Sequence, residues 1–232
     1  MSGRRRILPE VRVGWPAVSD AGPVTYLVVA IAYVLGTLPS AQIVAGRSGV
    51  DPTSAGSGNP GATNVYRTAG RRAGLVVFAF DGGKGVAAVL LGMAVAGRPL
   101  ALACWAAVTV GHVLPVTRRL RGGKGVATGG GGSIVLFPVL ALGVIALFAL
   151  VVRVTGKASM GSIAIAVALP VAVAPAGHPT PEILVAAAIS APVLARHVAN
   201  IRRLPAGEER SWRRRVSADG DIPRRSPAPC VP

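Results

Sequence analysis

Long apolar runs separated by short polar or glycine-rich segments are the main feature of the chain. A helix needs roughly 20 apolar residues to cross the hydrocarbon core of a bilayer. Helices are the expected elements, because backbone groups in lipid must be satisfied internally and the alternating strands of a membrane barrel do not occur in this sequence. The apolar runs are Val24–Ala45, Ala73–Ala96, Leu100–Val116, Gly129–Val152, Ile163–Pro175 and Ile183–Ala195.

The number of spans depends on Pro138, which interrupts the fourth run. Proline removes a backbone donor and breaks a helix, so this run predicts two short tilted helices. The count becomes about seven, and the polar segments with candidate chemistry then share one membrane face. Most basic residues fall there too, and the positive-inside rule makes that face cytoplasmic. We predict an all-α membrane protein of about seven helices, some short or broken, with a cytoplasmic active site and C-terminus and an external N-terminus.

Composition agrees with a membrane location. Hydrophobic residues make up 51% of the chain and charged residues 15%, whereas a soluble domain carries about 25% charged residues. The net charge of +16 comes from arginines that flank the apolar runs, which topology and anionic lipid headgroups explain better than nucleic acid does. We predict a polar N-terminal extension over 1–22, a polytopic membrane domain over 23–204 and a disordered Arg/Pro-rich tail over 205–232, with no cofactor, metal or nucleic-acid partner.

The first polar segment, 46–72, carries a glycine-rich motif from Gly56 to Arg67. It contains the G-x-G-x-x-G pattern, but a dinucleotide-binding turn requires a preceding strand, whereas this motif follows a membrane span. Glycines let backbone N–H groups approach an anion, and arginine binds phosphate in a bidentate manner. An anion site explains the density of small donors better than a plain loop does. The predicted phosphate ligands are Ser57, Asn59, Thr63, Asn64 and Arg67.

The second polar segment, 117–128, contains Lys124 among glycines at the predicted start of a helix. Free N–H groups and the positive helix end attract an anion there. The motif is not a Walker loop, because Gly125 replaces the required Ser/Thr and no strand precedes it. A basic membrane-flanking turn would explain the nearby arginines but not these glycines. We predict that Gly122, Gly123, Lys124 and Gly125 contact a phosphate, and that His112 orients their loop.

The hexapeptide Gly82–Ala87 recurs identically as Gly122–Ala127. The first copy lies inside an apolar run, and its Lys84 can meet Asp81 on one helix face. Ionisable residues inside a membrane are candidates for function. An ion pair that fixes helix packing is an equally good explanation, and the repeat itself can be a coincidence of common residues.

The third polar segment follows the last apolar run and contains His197 and Asn200, which share a helix face. A histidine at a membrane boundary is commonly a polar anchor, so its catalytic role depends on whether the fold brings it to the other two segments. Ser159 and Ser162 are also three residues apart. They are a helix-capping pattern unless they meet the same site.

These motifs together resemble the bacterial acyl-phosphate:glycerol-3-phosphate acyltransferase family, often called PlsY. Its signatures are matched, in the family's order, by Gly56–Arg67, Gly111–Thr128 and Arg196–Leu204, and the resemblance covers residues 24–209. Departures are mild: Ser40 stands where an aromatic residue is more usual, and Gly130 to Gly132 are additional.

The resemblance implies a bacterial plasma-membrane enzyme that transfers an acyl group from acyl phosphate to the 1-hydroxyl of sn-glycerol 3-phosphate. The products would be lysophosphatidic acid and phosphate, and the enzyme would be coupled to a producer of acyl phosphate. The implied catalytic residues are Ser57, Lys124, His197 and Asn200, with Arg67, Ser159 and the loop glycines in substrate binding. Direct attack by the glycerol hydroxyl is favoured over a Ser57 nucleophile, because no carboxylate obviously completes a triad with His197. A small transporter of an anionic phosphorylated solute is the alternative.

Overall fold

The computed structural model describes residues 22–212, so residues 1–21 and 213–232, and with them most of the predicted extension and tail, lie outside the described part. All regular structure between residues 22 and 212 is helical, as predicted. The helices are α1 (Pro23–Thr37), α2 (Ser40–Gly46), α3 (Ala62–Thr68), α4 (Arg71–Val113), α5 (Val126–Leu136), α6 (Pro138–Thr155), α7 (Ala158–Val173), α8 (Thr180–Ala195) and α9 (Val198–Arg203), with a 3-10 turn at Val116–Arg118.

Two breaks divide these helices into seven apolar segments. Helix α4 leaves helical geometry at Ala96 and Gly97, where Gly97 has φ of 70°, and it therefore consists of a first arm and a second arm. Helices α5 and α6 are separated only by Phe137, because Pro138 cannot continue α5. Within residues 22–212, three stretches are long and apolar enough to cross a membrane: Pro23–Gly46, Arg71–Arg118 and Pro138–Thr155.

Close glycine contacts hold α5 against the first arm of α4. A Cβ on Gly85 would clash with the Thr128 carbonyl oxygen and lie 3.0 Å from the Gly132 backbone nitrogen. A Cβ on Gly131 would meet the Gly82 backbone in the same way. Small residues at a membrane helix interface let backbones approach closely and gain van der Waals contact. The first copy of the repeated hexapeptide therefore packs on the helix that the second copy begins.

A charged cluster joins the helix ends at the end of the bundle where α4 breaks. Arg98 pairs with Glu182 and donates from Nη2 to the Leu136 carbonyl at 2.9 Å. His178 lies 2.9 Å from the Glu182 carboxylate, and the Phe137 ring stacks edge-on against His178. The turn inside α4, the α5–α6 junction and the start of α8 are thereby tied together. We call this group the Arg98–Glu182 cluster.

Residues 205–212 pack against the helical domain, although the sequence assigned them to the tail. Glu209 is buried, and the backbone N–H of Trp212 donates to the Gly156 carbonyl at 2.9 Å. The Trp212 ring also lies 6.1 Å from the Tyr66 ring. A buried carboxylate and an aromatic contact hold this segment in place despite its polar composition.

Candidate active site

A polar cavity of about 340 Å³ lies at the end of the bundle opposite the Arg98–Glu182 cluster. It is lined by α3 and the loop before it, both arms of α4, the Lys124 loop and the start of α5. Residues from α6, α7, α9 and the α8–α9 turn complete the lining, together with Glu209 and Arg210. Ten of the twelve predicted site residues line it: Ser57, Asn59, Thr63, Asn64, Arg67, Lys124, Gly125, Ser159, His197 and Asn200.

The loop that carries Lys124 is held by its backbone. The N–H groups of Gly122 and Gly123 donate to the carbonyl oxygens of Val113 and His112 at 3.2 and 3.1 Å. Arg196 Nη2 donates to the Gly122 carbonyl at 2.7 Å from the other side. We expected the N–H groups of Gly122 and Gly123 to bind phosphate, but these groups hold the loop in place instead. Gly125, with φ of 82°, is the residue just before α5 and lines the cavity.

A chain of hydrogen bonds crosses the site from Lys124 to Ser159. Lys124 Nζ donates to Asn200 Oδ1 at 2.6 Å, and Asn200 Nδ2 donates to Glu209 Oε1 at 2.7 Å. Ser159 Oγ donates to the same carboxylate oxygen at 2.7 Å, and Arg203 Nε donates to Glu209 Oε2 at 3.1 Å. The carboxylate thus fixes the side chains of Asn200 and Ser159, and through Asn200 the position of the Lys124 ammonium.

Glu209 is the site residue that sequence reasoning missed. It stands between Glu208 and Arg210, shortly after Pro205 and Gly207, in a stretch that we assigned to the tail. The available signal was an acidic residue shortly after a motif rich in positive charge. Burial raises its pKa, but the hydrogen bonds from Ser159, Asn200 and Arg203 together outweigh burial and lower the pKa below the usual value, so the carboxyl is ionised at neutral pH.

Burial also sets the ionisation of Lys124 and His197. Desolvation, together with nearby arginines, lowers the pKa of Lys124 to about 8, although the Glu209 carboxylate opposes the shift. Desolvation and the Lys124 charge lower the pKa of His197 to about 4. Lys124 is therefore mostly charged at pH 7, and His197 is neutral. His197 Nδ1 lies 2.7 Å from the Val193 carbonyl, which only accepts, so Nδ1 carries the proton and Nε2 is left as an acceptor.

Asn64 organises the first motif rather than offering its amide to a ligand. Its Oδ1 accepts the Ser57 N–H at 2.9 Å, and its Nδ2 donates to the carbonyls of Pro52 and Ala55 at 2.9 and 3.0 Å. The amide is therefore fully used in folding this loop. Arg67 Nη2 donates to the Arg210 carbonyl at 3.1 Å and leaves the rest of the guanidinium beside the cavity.

The sequence profile of the glycerol-3-phosphate acyltransferase family matches residues 26–207. The chain belongs to this family. A glycerol-3-phosphate acyltransferase of Rubrobacter xylanophilus is 42% identical over 195 residues, which are 84% of this chain and 98% of that protein. One from Clostridioides difficile is 41% identical over 194 residues, 80% of this chain and 95% of that protein.

Solved structures of the family show the same architecture. The crystal structure of PlsY (YgiH), an integral membrane glycerol 3-phosphate acyltransferase, matches in its glycerol 3-phosphate form with a TM-score of 0.78. That match has 32% sequence identity and covers 81% of this chain and 95% of that one. The lysophosphatidic acid form matches with a TM-score of 0.76 over the same shares. The predicted family, all-α membrane fold and acyltransferase activity are thereby confirmed.

Proposed function

We propose that this protein transfers an acyl group from acyl phosphate to the 1-hydroxyl of sn-glycerol 3-phosphate, giving lysophosphatidic acid and phosphate. This is the first acylation of bacterial phospholipid synthesis. The observation that carries the proposal is the meeting of three distant motifs in one cavity, where Lys124 reaches Asn200 across 76 residues of sequence. Membership of the acyltransferase family supports the same reaction.

The charges of the cavity suit two phosphorylated substrates. Lys124 and Arg67 supply positive charge from different elements, and Arg196 and Arg203 also line the cavity. The start of α5 adds backbone N–H groups without helical acceptors. Phe78 and Phe148 supply an apolar wall that an acyl chain can contact. A single site can therefore hold two phosphates and one hydrocarbon chain side by side.

Acyl phosphate is a mixed anhydride, so the reaction needs no covalent enzyme intermediate. The glycerol oxygen attacks the acyl carbon, the bond between that carbon and the phosphate oxygen breaks, and phosphate leaves with the electron pair. The hydroxyl proton passes to a substrate phosphate oxygen, and His197 and Asn200 position that phosphate. Holding the reactants in this geometry can lower the barrier by roughly 7–11 kcal/mol.

The surroundings of His197 argue against a Ser–His–carboxylate triad. Its Nδ1 is bound to the Val193 carbonyl, and the Glu209 carboxylate is bound to Ser159, Asn200 and Arg203. A His197→Asn variant that folds and binds both substrates should keep measurable turnover if a phosphate oxygen takes the proton. Complete loss of turnover in that variant would instead make His197 the general base.

We further propose that the protein lies in the bacterial plasma membrane with its site and C-terminus in the cytoplasm and its N-terminus outside. Arginines and lysines concentrate around the cavity end, which the positive-inside rule makes cytoplasmic. Acyl phosphate hydrolyses in water, so coupling to an enzyme that produces it at the same face would limit this loss.

One assay tests the reaction. Full-length protein in detergent is mixed with acyl phosphate and glycerol 3-phosphate, and both phosphate release and lysophosphatidic acid are measured. Omitting glycerol 3-phosphate separates transfer from hydrolysis. Lys124→Ala should abolish transfer, whereas Lys157→Ala, a basic residue outside the cavity lining, should retain it. Absence of transfer by the wild-type protein at every pH would refute the proposal, and solute flux in liposomes would then favour the transporter alternative.

A further inference from the structure

Asp81 and Lys84 form a buried ion pair beside the cavity that the mechanism does not use. Asp81 is 2% exposed and Lys84 6%, and Lys84 Nζ lies 2.9 Å from Asp81 Oδ1. Isolated charges at such depth are costly, and pairs of this kind are retained where they serve a function or specify an arrangement. The Asp81 side chain also lines the cavity, so its environment is part of the site.

The pair connects the first arm of α4 to the kink between α1 and α2. Lys84 Nζ donates to the Gly36 carbonyl at 3.1 Å and to the Leu38 carbonyl at 3.4 Å. Ser40 Oγ donates to Asp81 Oδ1 at 2.5 Å. The carbonyl groups that the end of α1 leaves without helical donors are thereby satisfied by a side chain, and Asp81 is fixed by two donors.

From Asp81 the contacts run to the Lys124 loop through His112. His112 is 5% exposed, and its Nδ1 lies 3.5 Å from Asp81 Oδ1, a polar contact longer than a formed hydrogen bond. The His112 ring packs against Gly123 so closely that a Cβ at Gly123 would overlap it, and the His112 carbonyl accepts the Gly123 N–H at 3.1 Å. The position of the imidazole therefore sets the position of the residue before Lys124.

The same arm of α4 supports the other side of the loop. The backbone of α5 packs directly against Gly82 and Gly85. Helix α5 begins at Val126, immediately after Gly125, the last residue of the loop. The first arm of α4 thus holds the loop at both ends, by a polar contact before Lys124 and by helix packing after it.

We propose that Asp81 is a positioning residue, which fixes the Lys124 loop through His112 and so sets the geometry of phosphate binding. The proposal rests on the proposed function, since Lys124 is taken to hold a substrate phosphate. It differs from the view that Asp81 and Lys84 only fix helix packing, which predicts that activity follows stability. Glu182 provides a matched comparison, because it is a buried carboxylate paired with Arg98 and near His178 at the opposite end of the bundle.

Three variants separate positioning from packing. Asp81→Asn keeps the side-chain shape but leaves the Lys84 charge buried without its partner, so it should lower both the Tm and the activity. Asp81→Asn with Lys84→Met removes both charges and should recover most of the lost Tm. If the loop is misplaced by about 1 Å, kcat/KM should remain depressed by about 100-fold in the double variant. Glu182→Gln should lower the Tm while leaving kcat/KM close to the wild-type value.

The measurements are the Tm in detergent and kcat and KM for both substrates, at a temperature where every variant is folded. The expected result is a rise in KM for a phosphorylated substrate that persists when the Tm is restored. Recovery of activity together with Tm in the double variant would overturn the proposal, as would an equal loss of kcat/KM in Glu182→Gln. An inactive wild-type protein would instead refute the proposed function itself, so the two failures are distinguishable.

Discussion

Replacing Gly123 with alanine tests how the Lys124 loop is held. A Cβ built on Gly123 lies 3.0 Å from both Cδ2 and Cε1 of His112, and closer still to Nε2. Ordinary non-bonded carbon contacts lie at about 3.5–4.0 Å. The His112 ring is buried, at 5% exposure, with Asp81 Oδ1 3.5 Å from its Nδ1, so it has little room to rotate away from the new methyl group. The loop itself must move.

The size of the effect follows from this overlap. Removing it requires a displacement of about 1 Å, and a misplacement of that size costs about 100-fold in rate. This corresponds to about 2.7 kcal/mol of transition-state stabilisation. Because Lys124 is the next residue, the loss should appear in kcat/KM for a phosphorylated substrate, measured by phosphate release with each substrate varied in turn.

Gly130→Ala provides the matched control. Gly130 lies in α5, a few residues beyond the loop, and a Cβ there meets nothing within 4 Å. Alanine is favoured over glycine in a helix by roughly 0.5–1 kcal/mol, so this variant should be equal to the wild type or slightly more stable, with unchanged activity. A Gly123→Ala enzyme with normal kcat/KM would refute the claim that the His112 contact sets the loop.

Three further predictions follow from the same contacts. With a Lys124 pKa of about 8, kcat/KM should fall as the pH rises through about 8, because the ammonium loses its proton. An active Lys124→Arg variant should lack this alkaline fall in kcat/KM. If the fall is unchanged in Lys124→Arg, another group causes it. The Glu209 carboxylate raises the pKa of Lys124, so in Glu209→Gln the alkaline fall in kcat/KM should occur at lower pH. A shift of this fall to higher pH would contradict the electrostatic effect of Glu209 on Lys124. Gly85→Ala should lower stability by about 1–3 kcal/mol through overpacking against α5, measured as Tm in detergent, whereas Gly83→Ala, whose Cβ meets nothing within 4 Å, should not.

The helical segments could be predicted because the bilayer imposes them locally. An apolar run, a proline or a glycine acts through its own neighbours, so the break at Gly97 and the division at Pro138 are visible in the sequence. The side of the membrane on which each end lies remains a prediction, because it depends on the distribution of arginine and lysine rather than on any contact.

The site could be predicted only in part, because its chemistry depends on distant pairs. Lys124, Arg67 and Asn200 were identifiable from motifs whose residue types already suit an anion. Glu209, the hydrogen-bond partner of Asn200, was not identifiable, because it lies in a stretch whose composition is typical of a tail. Likewise, nothing local indicates that the Asn64 amide is used up by the carbonyls of Pro52 and Ala55.

The shortness of α5 has a consequence for how the enzyme meets its lipid substrate. Its 11 residues span about 16 Å at 1.5 Å per residue, roughly half of a hydrocarbon core of about 30 Å. The helix nevertheless runs from the Lys124 loop to the carbonyl that Arg98 holds. We therefore expect a locally thinned bilayer around the protein, or a phosphate pocket sunk below the headgroup plane. In either geometry the acyl carbonyl can react while the acyl chain stays in the hydrocarbon core of the bilayer.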